Sequence, residues 1–182
     1  DDGATSTGIT GSTATPSGPG TATEVQVFFS RGDPDECGAV TGFDRTVVAG
    51  VDPIRFAFDE AVKGPASSEV SDGAISFFSA ATAGMVRSVT TDGQLVVVDF
   101  DDFRDSLGPA GATTSCGSSA LLGSLNATAF QFDEIDKVRY ELEGSCAEFG
   151  EWLQSGCLEI ERDDWEAAVA GQLPGKPMEG IL

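Results

Sequence analysis

"MVRSVTTDGQLVVVDF", residues 85–100, is the stretch on which the fold class turns. Two valine-bearing runs flank Asp92-Gly93, a dipeptide that favours a two-residue hairpin, so the segment reads as a pair of antiparallel strands. In the second run Val96, Val98 and Phe100 fall on one side, and Leu95, Val97 and Asp99 on the other. One face therefore needs apolar cover, and it must come from the flanking segments.

Upstream, "VDPIRFAFDEAVKGP" (51–65) has the marks of a helix. Asp52 is placed to cap it, Pro53 suits its first turn, Ile54, Phe58, Ala61 and Val62 share a face, and Gly64-Pro65 ends it. Downstream, "SSALLGSLNATAFQF" (118–132) spaces Leu121, Leu122, Leu125, Ala129 and Phe130 for a second helix packed on a sheet. "IDKVRYELEG" (135–144) reads as a last strand, and "AEFGEWLQ" (147–154) as a short helix ending before Cys157. Before all of these, "EVQVFFS" (24–30) alternates as a strand with one buried face, and "RGDPDECGAVTGFD" (31–44) reads as an exposed loop. Its Arg31-Gly32-Asp33 spells an integrin-type tripeptide, a triplet that turn chemistry often produces by chance. The order strand–helix–strand–strand–helix–strand predicts one α+β domain. It would have a mixed or antiparallel sheet of about four strands, with two main helices on one face and a short C-terminal helix.

Residues 1–23 are mostly Gly, Ser, Thr and Pro with almost nothing to bury, and are expected to be a linker. The domain is expected over residues 24–160, with a C-terminal extension over 161–182. A linker at this place points to a tether, and a lipid anchor on a cysteine ahead of residue 1 is the expectation. No run of 18 apolar residues exists to span a membrane. Thirty acidic against ten basic side chains give a net charge of −20, a field that repels phosphate backbones and anionic lipid. Nucleic acid is thereby an unsuitable partner, and membrane contact is expected only through the anchor.

The four cysteines, Cys37, Cys116, Cys146 and Cys157, include no CxxC pair, and the chain has no histidine. That composition argues against structural zinc and removes Ser-His-Asp and Cys-His catalysis, for want of an imidazole to take the nucleophile's proton. An even count at wide spacing fits two disulfides and an oxidising compartment. Four cysteines allow three pairings, and sequence leaves the choice open. A short helix doubling back would favour Cys146 with Cys157, leaving Cys37 to fasten Cys116 at the start of the second helix.

The acidic run "DFDDFRDSLG" (99–108) lacks the glycine and glutamate of an EF-hand loop, so its carboxylates are expected to be solvated or helix-capping. Trp152 and Trp165 are expected to anchor helices. Asn126-Ala127-Thr128 fits a glycosylation acceptor, but inside a predicted helix it is expected to be unmodified. No catalytic, cofactor-binding or metal-binding residue is assigned.

Taken in order, "VQVFFS", "DRTVVAGVDPIRFAFDEAVKGP", "GMVRSVTTDGQLVVVDFDDF" and "SSALLGSLNATAFQFDEIDKVRYELEG" resemble the GerMN domain of sporulation and spore-germination proteins. The marks are a helix ending at Lys63-Gly64-Pro65, an Asp-Gly hairpin between valine-rich strands, and a helix ending at Gln131-Phe132. The resemblance covers roughly residues 24–155, and its motifs are structural. It implies a secreted or lipid-anchored envelope protein of a Gram-positive bacterium, in a family associated with spore development, germination and envelope assembly and not known as enzymes. The first helix is poorer in Leu and Ala than the family's, and the cysteines are additional. High Ala and Gly with few Lys resemble an actinobacterial composition. The function expected is a non-catalytic interaction module binding an envelope protein or a cell-wall polymer. A carboxylate-based hydrolase acting on a glycan and a calcium-dependent adhesive domain are the alternatives.

Overall fold

A computed structural model describes residues 23–31, 37–108 and 111–171; the expected linker therefore lies, but for residue 23, outside the described residues, as do Gly32 and Asp33. The elements run β1 (Glu24–Ser30), β2 (Val40–Thr46), α1 (Pro53–Ala61), α2 (Ser67–Ser71), β3 (Val86–Asp92), β4 (Leu95–Phe100), α3 (Ser115–Phe130), β5 (Lys137–Leu142), α4 (Cys146–Leu153), β6 (Ile160–Glu161) and α5 (Arg162–Gly171). The class is α+β, as the patterning requires.

β3 to β6 form one mixed sheet in the order β3-β4-β5-β6. β3 and β4 are antiparallel and β4 and β5 parallel, with α3 as the crossover between the parallel pair. The hairpin turns one residue later than the sequence implies: Asp92 pairs with Leu95, so Gly93 and Gln94 are the central residues. Gly93 has φ +59° and Gln94 is not among the residues with positive φ, the pattern of a type II′ rather than a type I′ turn. A register shift between Val86 and Ser88 leaves Arg87 as a bulge, which carries its guanidinium to Asp99 and Asp101 at 3.4 and 3.6 Å.

The inward face of the sheet carries the fully buried Val96, Val98, Phe100 and Val138. α1 covers it with Ile54 and Phe58 and, just past its end, Val62, α3 with Leu121, Leu125 and Ala129, and α4 with Phe149 and Leu153. Each such Phe contributes on the order of 2–3 kcal/mol of transfer free energy. The outward face carries the half-buried Leu95 and Val97 of β4, and beside them the charged residues of β5 are paired. Arg139 bonds Glu141 and Glu159 at 3.0 and 3.1 Å, and Lys137 bonds Glu161 at 2.7 Å.

β1 is a strand as expected, but it pairs with β2 in a separate two-stranded ribbon instead of joining the sheet. The expected loop at residues 31–44 thus gives way to β2 from Val40 onward. Its alternation is masked by Gly42, Asp44 and Arg45, and what makes it a strand is the partner β1. The ribbon lies against the other side of the helices. Val27 and Phe29 meet Ala61 and Ala74, and Val25 meets Ala57. Arg45 reaches from β2 to Glu60 at 3.5 Å and holds Glu69 of α2 in two hydrogen bonds of 2.6 and 2.9 Å. α1 and α3 are thereby buried on both sides, which explains why α3 buries Gly117, Ser118, Gly123, Ser124 and Thr128 as well as its leucines.

Candidate functional site

Both disulfides start helices. Cys37 is joined to Cys116 and Cys146 to Cys157, and no free cysteine is present among the described residues. Cys116 sits in the first turn of α3, behind Thr114, whose hydroxyl accepts from Gly117 N–H at 3.1 Å and donates to Gly111 O at 2.7 Å. Glycine is required at 117, because a Cβ there would lie 1.8 Å from Gly111 O. A Cβ at Gly123 would lie 2.6 Å from Gly38 O, so the loop carrying Cys37 rests directly on the α3 backbone. In the second bridge Ser145 caps α4 by accepting from Glu148 N–H at 3.2 Å. The returning chain crosses Gly150 so closely that a Cβ would meet Gly156 O at 1.9 Å.

Beside the first bridge lies a cleft of about 300 Å³. Ile75, Phe77, Phe78, Ala120 and Leu121 give it apolar walls, the Cys37–Cys116 bridge borders it, and Ser30, Ser76, Thr114 and Ser124 contribute hydroxyls. None of the described residues lining it carries a titratable side chain outside the bridge itself. Two features build it. Ile75 N–H donates to Ser30 O at 2.7 Å, which extends the ribbon, and Gly108 N–H donates to Phe77 O at 2.6 Å, which fixes the segment behind it. Sequence reading missed "AISFF" (74–78), since adjacent phenylalanines after a glycine follow neither the helical nor the strand period.

The other candidates are spent on structure. In the acidic run Asp99 accepts from Gly144 N–H at 2.7 Å, and Asp102 is paired with Arg104 at 2.7 Å. The side-chain hydrogen bond from Arg104 holds the Asp102 carboxyl below its ordinary value. For Glu69, burial raises the carboxyl, but the bonds from Arg45 and Ala66 N–H outweigh it and leave it lowered. Both shifts are opposite to what a general acid requires. Among the described residues no group of three or more Cys, Asp or Glu gathers in metal-binding geometry. Trp152 packs edge-on against Phe103 and Phe149 at 5.5 and 6.0 Å, and Trp165 lies half-buried against the same core. Asn126 is buried and accepts from the Tyr140 hydroxyl at 2.8 Å; burial in turn raises the Tyr140 phenol.

Arg162 went unnoticed in the sequence, one arginine among ten basic residues. Its guanidinium donates to Phe130 O at 2.6 Å, Phe132 O at 2.7 Å and Ile135 O at 3.0 Å, and stands 5.2 Å over the Phe130 ring. It thus caps the last carbonyl of α3, at Phe130, and ties down two carbonyls of the connection that follows.

The tandem GerMN domains of the sporulation protein GerM from Bacillus subtilis share this fold, with a TM-score of 0.53 at 15% identity over 83% of this chain and 48% of that one. The chain thus spans about half the length of that tandem structure. A crystal structure described as that of a "putative lipoprotein" from Clostridium perfringens aligns with a TM-score of 0.42 at 11% identity, over 79% of this chain and 89% of that one. No curated protein matches. The family model described as Germane, sporulation and spore germination, matches residues 26–148, and by that match, over more than half its length, the chain belongs to the Germane family.

Proposed function

We propose that the chain is a recognition module of the cell envelope, acting outside the cytoplasmic membrane as a lipid-anchored or secreted protein. It binds an envelope protein or a cell-wall polymer without reacting with it, in spore development, germination or envelope assembly. The family supports the setting. The two disulfides support the compartment, since such bridges persist where the milieu is oxidising. The observation that carries the reading is the cleft beside α3, whose described lining offers apolar surface and hydroxyls but no acid or base to activate them.

The test compares the wild-type chain with Ala120→Phe, which fills the cleft from the α3 side. Wild-type protein is expected to sediment with isolated envelopes of the native cell and to release no soluble glycan. Ala120→Phe is expected to unfold at nearly the same temperature and to stay in the supernatant. Equal retention of both proteins overturns the cleft as the binding site, and steady release of sugar fragments by purified wild-type protein overturns the non-catalytic reading.

A further inference from the structure

We infer that the Cys146–Cys157 bridge is an exchangeable disulfide, which an external dithiol opens and recloses while the domain stays folded. Access differs between its two sulfurs. Cys157 is exposed and belongs to no helix or strand, whereas Cys146 is half-buried at the first position of α4. A thiolate arriving from solvent therefore attacks Cys157, and the sulfur expelled is Cys146. That thiolate leaves at the positive end of a helix, which stabilises it and speeds the exchange. Glu148, the acidic side chain of the same turn, is drawn to Arg104 Nη1 at 3.4 Å. The Cys37–Cys116 bridge has the reverse arrangement. Its exposed member is Cys116, in the first turn of α3, so attack there expels Cys37, which is half-buried and outside any helix.

Opening the Cys146–Cys157 bridge also frees little of the fold. On one side of Cys157 the Ser155 and Gly156 N–H groups donate to Gly150 O at 2.9 and 3.3 Å, and on the other Ile160 pairs with Val138. Phe149 and Leu153 keep α4 in the core. What is released is the short turn around Cys157 and Leu158, the latter already 45% exposed. The two cysteines are 11 positions apart in sequence, against 79 for the other pair, so the reduced thiols stay near each other and rejoin at small entropic cost.

Exchange runs as successive displacements. One thiolate of the dithiol attacks Cys157 Sγ and forms a new S–S bond to it. The Cys146–Cys157 bond breaks, and its electron pair leaves on Cys146. The second thiolate of the dithiol then attacks the dithiol's own sulfur in that mixed disulfide and expels Cys157. The dithiol closes to a disulfide and is oxidised by the electron pair that the bridge gains, and its protons end on Cys146 and Cys157.

The experiment treats the full chain with dithiothreitol at neutral pH without denaturant. Free thiols are blocked with iodoacetamide at intervals and assigned by peptide mass spectrometry. Cys146 and Cys157 are expected to be blocked about ten times sooner than Cys37 and Cys116, while the far-ultraviolet circular dichroism stays unchanged. Oxidised glutathione added before blocking is expected to restore the bridge. With mercaptoethanol in place of the dithiol, the adduct is expected on Cys157 and the iodoacetamide on Cys146. Equal rates for both bridges, the opposite order, or reduction only after unfolding overturns the inference. An adduct mainly on Cys146 overturns it too, because the helix then stabilises the sulfur attacked and not the one that leaves.

Discussion

Glu69 is the one charged side chain buried among the described residues, with 8% of its surface exposed. Arg45 grips both of its oxygens from β2, and Ala66 N–H donates to it at 2.7 Å from the start of α2. Nothing local in "SSEVS" distinguishes this glutamate from the other acids; its role exists only because the ribbon brings Arg45 over α2. The folded carboxyl lies below its ordinary value of 4.5. Its contribution to stability is therefore complete above that pH and is lost as the pH falls through the lower, folded value. Glu69→Gln is expected to cost about 2–3 kcal/mol at neutral pH by removing the charged partner that Arg45 holds in two hydrogen bonds, leaving it only the longer ion pair with Glu60. It should also flatten the loss of stability below about pH 4.5, where the wild-type contribution disappears anyway. Urea unfolding of both proteins at neutral and acid pH checks this, and parallel stability curves would refute it.

At the scale of elements, α3 shows how far periodicity reaches. Its leucines face the sheet, as their spacing requires, yet its other side is built of Gly117, Ser118, Gly123, Ser124 and Thr128 because β1 and the Cys37 loop lie close against it. Small residues on a helix normally read as a solvent face. Here they are the second contact face, and the Cys37–Cys116 bridge pins that contact at its N-terminal end. The bridges differ in the chain they enclose, with sequence separations of 79 and 11. In the chain-entropy account the wide loop contributes on the order of 4 kcal/mol and the narrow one roughly 3. The double variant Cys37→Ala/Cys116→Ala is accordingly expected to unfold at lower denaturant than Cys146→Ala/Cys157→Ala. The reverse order would show that the tight crossing at Gly150 and Gly156 depends on its bridge more than α3 does on its own.

Over the whole molecule, the chain closes on itself through Arg162. β6 pairs with β5 over only two residues, too short to hold the C-terminal segment alone. The guanidinium does that work by joining α5 to the end of α3 and to the connection before β5. Arg162→Ala removes the guanidinium from the Phe130 and Ile135 carbonyls and leaves Phe132 O with Ile135 N–H alone, and is expected to lower stability by about 2 kcal/mol, with Arg162→Lys recovering only part of it because one ammonium cannot span three acceptors. Hydrogen exchange supplies the specific readout. Amides of α5 and β6 should lose protection more than those of β4, and a uniform loss would mean that Arg162 acts only on global stability.

By itself the sequence determined the α+β class, the valine-rich hairpin, both main helices with the Asp52 cap, and the family, because each rests on local periodicity and turn chemistry within one segment. It also restricted the chemistry, since a chain without histidine lacks the usual proton acceptor for a nucleophile. Only the tertiary structure decided that β1 leaves the sheet to pair with β2, and that Arg45 and Arg162 are the polar clasps. It alone placed Ile75, Phe77 and Phe78 around a cleft with α3. The reason is common to all three: a strand's partner, a guanidinium's acceptors and the walls of a cleft are supplied by segments far apart in sequence, and no pattern within one segment records which others will arrive beside it.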